Sequence, residues 1–300
     1  MTVDVTVAIP TYGRPESLAQ TIDSLVESID DDLGVELLVV DQSDGPVEEH
    51  AGARKRLCDR YRHFQVDPPS LTAARNFALA HATGPIIVFL DDDVHVGPGL
   101  LPGFREAFAD SRVGAVAGRV VTPGAGLSDG PYRLLPYGAS RGGFDVDAPG
   151  PVYTVQGCNM ALRSAAVRQV GGFDTVYAGN ALREETDLCR RLHRAGWELR
   201  YTPEAQVTHL HAPSGGCRGD RPLSEQAQLY HNEVVFFLRQ RQRVWLAPFL
   251  GYLLVHHVLD PEAVRGGRAP HRGAAYLRGV ARGLVNAWRP PPPTVARVRQ

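Results

Sequence analysis

Three adjacent carboxylates, Asp91, Asp92 and Asp93, follow directly on the unbroken apolar run 86–90. Side by side they repel one another, and left unpaired they would weaken the fold. A divalent cation that takes hard oxygen ligands, Mg²⁺ or Mn²⁺, relieves that repulsion and is often shared with a phosphorylated ligand. In an arbitrary loop the same three residues would simply be solvated. Here they sit after a buried strand, at the carboxyl edge where open α/β sheets bind ligands, and the cation reading is the stronger. Two further groups carry chemistry. Glu184, Glu185 and Asp187 crowd the start of a helical pattern, where the helix dipole alone favours a carboxylate by up to about 1 kcal/mol. His209 and His211 fall on one face of a strand by its period of two, and near an acidic triplet such a pair reads as metal-ligating. Arg75 and Asn76 lie among small residues that let an anionic ligand come close.

The elements that position these groups follow from periodicity. Residues 3–9 read as a first strand, 15–26 as a helix with Leu18, Ile22, Leu25 and Val26 on one face, and 35–40 as a second buried strand. Pro15 suits a first helical turn, where its missing N–H has no partner to lose. Strand, helix and strand at this spacing make a βαβ unit with both carboxyl ends at one edge. A charged helix is expected over 47–63, a short strand over 63–66, and a helix over 70–81 opened by Ser70 or Thr72. Beyond the aspartates come a helix over 98–110 and a strand over 114–121. Residues 122–151 are rich in Gly, Pro and Asp without periodicity, the mark of a functional loop that borders a second substrate. A helix follows from Ser164, another spans 182–193, and two strands are expected at 197–201 and 205–211.

Three hundred residues are enough for one large α/β domain or for a core domain with an appendage, and 43% hydrophobic and 22% charged content are ordinary for a globular chain. The net charge of −1 conceals an asymmetry. Residues 1–217 carry 19 Lys plus Arg against 28 Asp plus Glu, whereas 218–300 carry 13 against 5. An acidic body with no recognisable module argues against nucleic acid as partner. Cys58, Cys158, Cys189 and Cys217 form no Cys-x-x-Cys pair, and the first residues lack a basic-then-apolar leader, so a cytoplasmic chain with reduced thiols is expected. The longest apolar stretch, 244–259, is short for a membrane span and contains Pro248, His256 and His257.

The ordered set VAIPTYGR (7–14), VVDQS (39–43), LTAARN (71–76), FLDDDV (89–94), GCNM (157–160), GGFD (171–174) and EETDLCRR (184–191) resembles the family 2 glycosyltransferases. These are bacterial inverting enzymes of the GT-A fold that use nucleotide-activated sugars. The resemblance covers roughly residues 3–215. It implies an α/β fold with a Rossmann-like, mostly parallel central sheet flanked by helices, and a C-terminal helical extension. The implied division is a GT-A domain over 1–217, with its nucleotide half about 1–120 and its acceptor half about 121–217, followed by the basic helical extension 218–300. Pro10, Thr11, Tyr12 and Arg14 would border the nucleotide, with Thr11 and Tyr12 beside the base and Asp41 hydrogen-bonded to it. Arg75 would help hold the nucleotide, and Asp91 and Asp92 would approach ribose and metal. Asp93 would be the main ligand of Mn²⁺ or Mg²⁺, His209 the second, and His211 the reserve. The donor would be a UDP- or dTDP-linked sugar, or a GDP-linked one.

Two departures from the family pattern matter. The usual Glu-Asp pair, whose second member is the catalytic base, is Glu184-Glu185 here, so Glu185 takes that place and Asp187 stands as a second candidate. The usual double Asp after the second strand is Asp41-Gln42. The loop 212–218 is expected over the diphosphate. Helices are expected from residue 224 to 243 and beyond, followed by an Arg-rich segment and the prolines 290–293. This extension reads either as a helical layer on the core or as a peripheral contact with the inner face of the cell membrane. A sugar-phosphate nucleotidyltransferase would need a Gly-rich loop with an activating Lys after the first strand, and the only Lys is Lys55. A non-catalytic sugar-nucleotide-binding module would not need acids at every expected position. Sugar, acceptor and oligomeric state leave no mark in the sequence.

Overall fold

The computed structural model describes residues 2–45, 50–135, 140–177, 179–211, 223–240, 243–289 and 297–298. The loop 212–218 with Cys217, and the prolines 290–293, lie outside them. The chain opens with β1 (Val5–Thr11), α1 (Pro15–Glu27), β2 (Val35–Asp41), α2 (Ala51–Leu57), β3 (Tyr61–Asp67), α3 (Leu71–His81) and β4 (Ile86–Leu90). Then come β5 (Val94–Val96), α4 (Leu100–Ala107), β6 (Val113–Val121) and the two-residue strands β7 (Arg133–Leu134), β8 (Ser140–Arg141) and β9 (Gly150–Pro151). β10 (Asn159–Arg163), α5 (Ser164–Gln169), α6 (Glu184–Arg194) and β11 (Glu198–His209) complete the core. The extension is α7 (Leu223–Arg239), α8 (Arg243–Leu253), α9 (Pro261–Arg265) and α10 (Ala269–Asn286), ending in β12 (Arg297–Val298).

The main sheet runs β12-β3-β2-β1-β4-β10-β6-β11-β5, with β9 on the side of β11. β3, β2, β1 and β4 are parallel, so their carboxyl ends share one edge. β10 enters antiparallel between β4 and β6, and β11 returns parallel to β6. Every residue of β1, β2 and β4 is buried, because helices cover both faces. Val5, Val7 and Ile9 meet α1 and α4 on one side, while Ala8, Leu38 and Val40 meet α3 on the other.

Two local expectations are corrected. The strands expected at 197–201 and 205–211 are one strand, β11, with a register break between Thr202 and Gln206. Pro203 sits in the break, where a missing N–H costs no ladder bond. The Asn159 amide stitches the break by donating to the carbonyls of Arg119 (2.9 Å) and Ala205 (2.8 Å). A Cβ at Gly118 would fall 2.3 Å from that amide, so only glycine leaves it room. The long charged helix expected over 47–63 is the short α2, because Tyr61–Asp67 is taken by the sheet, where it pairs with β2.

The extension has its own apolar cluster. Tyr230, Val234, Phe237, Phe249 and Ala275 pack with Val176, Tyr177 and Ala181, which precede α6. α7 therefore buttresses the segment that leads into the acidic helix.

Candidate active site

β1 and β2 end side by side, with Thr11 opposite Asp41. The Thr11 hydroxyl donates to Asp92 Oδ2 at 2.7 Å. Arg14, which precedes α1, donates Nη1 to Asp92 Oδ1 at 2.9 Å and to Asp93 Oδ2 at 3.2 Å. Burial pushes the Asp92 carboxyl upward, the Thr11 and Arg14 contacts pull against it, and neighbouring Asp91 adds to the rise. Asp92 is thus spent on holding the triplet to β1 and α1.

β11 arrives from the far side. His209 lies in register with Val94, and the Leu210 N–H donates to the Asp93 carbonyl at 2.9 Å. This pairing sets His209 Nε2 2.9 Å from Asp93 Oδ1. One ligand atom each from Asp91, Asp93 and His209 lies within 4.8 Å of the others. Two carboxylates and one imidazole suit Mn²⁺ well and Mg²⁺ adequately, and Asp91 is only half-buried, which leaves the group open to a ligand. His211, the reserve candidate, is turned out of the strand by its positive φ of 54°. Its Nε2 lies 3.3 Å from Thr122 Oγ1, and its ring packs 4.2 Å from that of His209. The structure brings His209 to the acids and leaves His211 behind it.

Of the other residues expected at the nucleotide, Pro10, Tyr12 and Asp41 belong to the same edge, and Arg75 does not reach it. Pro10 is buried within β1, whereas Tyr12 is 45% exposed, its ring open to stacking. Asp41 accepts from the Ser43 N–H at 2.8 Å and lies 3.3 Å from His63 Nε2. Burial would raise its carboxyl, but the hydrogen bonds with His63 and Ser43 outweigh burial and hold it below the usual range. Gln42 accepts from the Ser70 N–H at 2.5 Å, tying β2 to the head of α3. Arg75, on α3, is fully enclosed. It is ion-paired to Glu184 and donates to the Gly157 carbonyl at 3.0 Å. A Cβ at Gly157 would come within 2.7 Å of the guanidinium.

The three acids of α6 part company. Glu184 meets Arg75. Asp187 is buried, accepts from Arg191 Nε at 2.8 Å and is also bonded by the Gln240 side chain from behind α7. Glu185 lines a cavity of about 280 Å³ with Tyr132, Phe144, Thr154, Gln156 and Arg183. Burial raises the Glu185 carboxyl, opposed by the charges of Arg75 and Arg183 and helped by that of Asp91. The structure therefore brings Glu185, and not Asp187, to an open space within electrostatic reach of the aspartates.

Two features were not foreseen in the sequence. Arg183, in the left-handed region at φ 78°, heads α6 and donates Nε to Glu233 of α7 at 3.0 Å, both side chains buried. Its only signal was a lone Glu before the apolar run 234–238. Tyr132 and Phe144, whose rings stack at 5.1 Å, come from the aperiodic 122–151 stretch, where composition alone pointed to a substrate border.

Among curated proteins, the chain is 35% identical over 219 residues to the pre-mycofactocin glycosyltransferase of Mycobacterium tuberculosis, covering 69% of this chain and 43% of that protein. It is 28% identical over 209 residues to the succinoglycan biosynthesis protein ExoM of Rhizobium meliloti, covering 69% and 66%. The chain thus spans less than half the length of the mycobacterial relative. Among solved structures, S. aureus TarS in complex with UDP-GlcNAc superposes with a TM-score of 0.64 at 14% identity, over 93% of this chain and 82% of that one. GalNAc-T7 with UDP, GalNAc and Mn²⁺ superposes at 0.61 with 13% identity, over 97% and 59%. These likenesses establish the GT-A fold. Residues 6–170, more than half of the sequence, match the family described as Glycosyl transferase family 2. With the sheet, the acidic edge and this match in agreement, the chain belongs to glycosyl transferase family 2.

Proposed function

We propose that the chain transfers a sugar from a nucleoside-diphosphate sugar to an acceptor hydroxyl, with inversion at the anomeric carbon. The observation that carries this reading is the convergence of Asp91, Asp93 and His209 at one sheet edge, with Glu185, which lines a cavity, within electrostatic reach of Asp91. Asp91, Asp93 and His209 would hold Mn²⁺ or Mg²⁺, which when bound supplies positive charge to the donor diphosphate. Tyr12 and Asp41 would receive the base of a UDP-, dTDP- or GDP-linked donor. In this reading residues 1–120 bind the donor, 121–217 the acceptor, and 218–300 brace the acceptor half.

Glu185 takes the proton of the acceptor hydroxyl. That oxygen attacks the anomeric carbon from the face opposite the diphosphate, the carbon–oxygen bond to the diphosphate breaks, and the nucleoside diphosphate departs with the bond's electrons. Burial raises the Glu185 carboxyl above an exposed Glu, which makes its carboxylate the stronger base, and general-base help of this kind contributes roughly 10²–10⁴-fold. The cavity aromatics Tyr132 and Phe144 offer a flat apolar wall for an acceptor ring.

A thermal-shift screen with Mn²⁺ or Mg²⁺ and UDP, dTDP, GDP or CDP tests the donor site. A diphosphate at 100 times its Kd should add about 2.7 kcal/mol of stability, only with metal and not in Asp93→Ala. Stabilisation that is indifferent to metal and to Asp93→Ala would overturn the assignment. Release of pyrophosphate from a nucleoside triphosphate plus a sugar phosphate would instead show a nucleotidyltransferase.

A further inference from the structure

Ten of the fifteen large apolar side chains exposed among the described residues lie between 244 and 288. They are not scattered. α10 turns Gly279 and Gly283 onto α7, where a Cβ would meet the Ala227 carbonyl oxygen at 2.2 Å and Val234 Cβ at 2.7 Å. The opposite face carries Leu277 and Leu284, seven residues apart and so within roughly 20° around the helix, 68% and 44% exposed. Trp288 and Val285 continue the stripe, 64% and 52% exposed. Arg278 and Arg282 border it, both exposed, and Arg289 follows Trp288. The turn 254–258 packs beside this helix, with Arg272 donating to the His257 carbonyl at 3.0 Å, and it adds exposed Val255 and Leu259.

An inward-facing apolar stripe needs no explanation, but this one faces outward and has arginines along its border. That is the construction of a helix lying in a lipid interface, with apolar residues in the acyl boundary and cations at the headgroups. Trp288 beside such a stripe fits the headgroup level. Charge selects the occupant. Residues 243–289 carry seven Arg against two acids, Asp260 and Glu262, so two copies of this face would oppose like charges. An anionic bilayer complements them. Among the described residues no helix is long and apolar enough to cross a membrane, so the contact is with its surface. We propose that α10 and the adjoining 254–259 turn form a peripheral docking surface for anionic lipid, and this stands apart from the donor chemistry.

Co-sedimentation of the full chain with vesicles tests it, using one part phosphatidylglycerol to two parts phosphatidylcholine against phosphatidylcholine alone. Binding is expected to the anionic vesicles and to fall with added salt. Arg278→Gln/Arg282→Gln should weaken it roughly 30-fold. Leu277→Asp/Leu284→Asp should remove it, with an unchanged melting temperature because both positions are exposed. Equal pelleting by wild type and the leucine double variant would overturn the proposal. So would the absence of vesicle binding together with a dimer, seen by light scattering, that the leucine double variant disperses; that result would give the face to a second copy of the chain.

Discussion

The two acidic clusters of this chain look alike as sequence and differ as structure. Asp91, Asp92 and Asp93 leave a strand end in a tight turn, so two of them converge with His209 on one point while Asp92 anchors the turn to Thr11 and Arg14. Glu184, Glu185 and Asp187 start a helix, where each residue turns about 100° from the last. That sets Glu185 off from Glu184 and Asp187, which lie within about 60° of each other and are taken by different partners. Glu184 goes to Arg75, Asp187 to Arg191 and Gln240, and Glu185 alone to the cavity. A converging cluster can share one cation, whereas a diverging one can set a single carboxylate apart by giving its neighbours to structural partners. The Asp cluster is suited to hold charge and the Glu cluster to move one proton.

The largest effects separate those two tasks. Asp93→Ala should abolish transfer and metal-dependent diphosphate binding together. Glu185→Gln should keep that binding and lose turnover by roughly 10²–10⁴-fold, read as kcat beside the thermal shift. Because the Glu185 carboxyl is raised by burial, kcat should fall as pH drops through a value above that of an exposed Glu. Wild-type turnover by Glu185→Gln would end its assignment as the base.

Next in size is the buried Arg75–Glu184 ion pair. Glu184→Ala strands the enclosed Arg75 charge, and the chain should lose about 3–5 kcal/mol in urea unfolding. Asp187→Asn removes the ion pair to Arg191 and should cost about 2 kcal/mol, with kcat kept at a temperature where the variant is folded. The comparison breaks if Asp187→Asn leaves stability unchanged but matches the turnover loss of Glu185→Gln; the base would then be Asp187.

How much of this was legible follows from where each determinant sits in the chain. The aspartate edge was readable because its causes are local: a buried strand, an abrupt polar run and two parallel neighbours ending at the same level. The choice between Glu185 and Asp187 was not, because it is made by Gln240, fifty-three residues on, which occupies Asp187 from behind. His209 and His211 look equivalent under a period of two, and the distinction appears only where the strand ends and His211 takes a positive φ. β11 read as two strands because Pro203 interrupts a pattern that the Asn159 amide restores from another strand. Arg75, expected at the nucleotide, is held by Glu184 and Gly157, partners that no spacing announces.

The smallest effect tests whether acids at the donor edge are also held structurally. Asp41 has a folded pKa below the unfolded value of about 3.9, so protonation favours the unfolded chain. Its stabilising contribution is present above the unfolded pKa and fades as pH falls towards and through the folded one. Wild type should therefore lose part of its advantage over Asp41→Asn as pH falls below about 5, measured by paired urea titrations. His63 contributes to that depression through its 3.3 Å contact with Asp41. His63→Phe should shrink the pH-dependent difference without removing it, because the Ser43 N–H still donates to Oδ1 at 2.8 Å. If the two pH profiles run parallel, Asp41 carries no such linkage, and the acids that hold the donor edge would be Asp92 and Asp93, which Arg14 clamps.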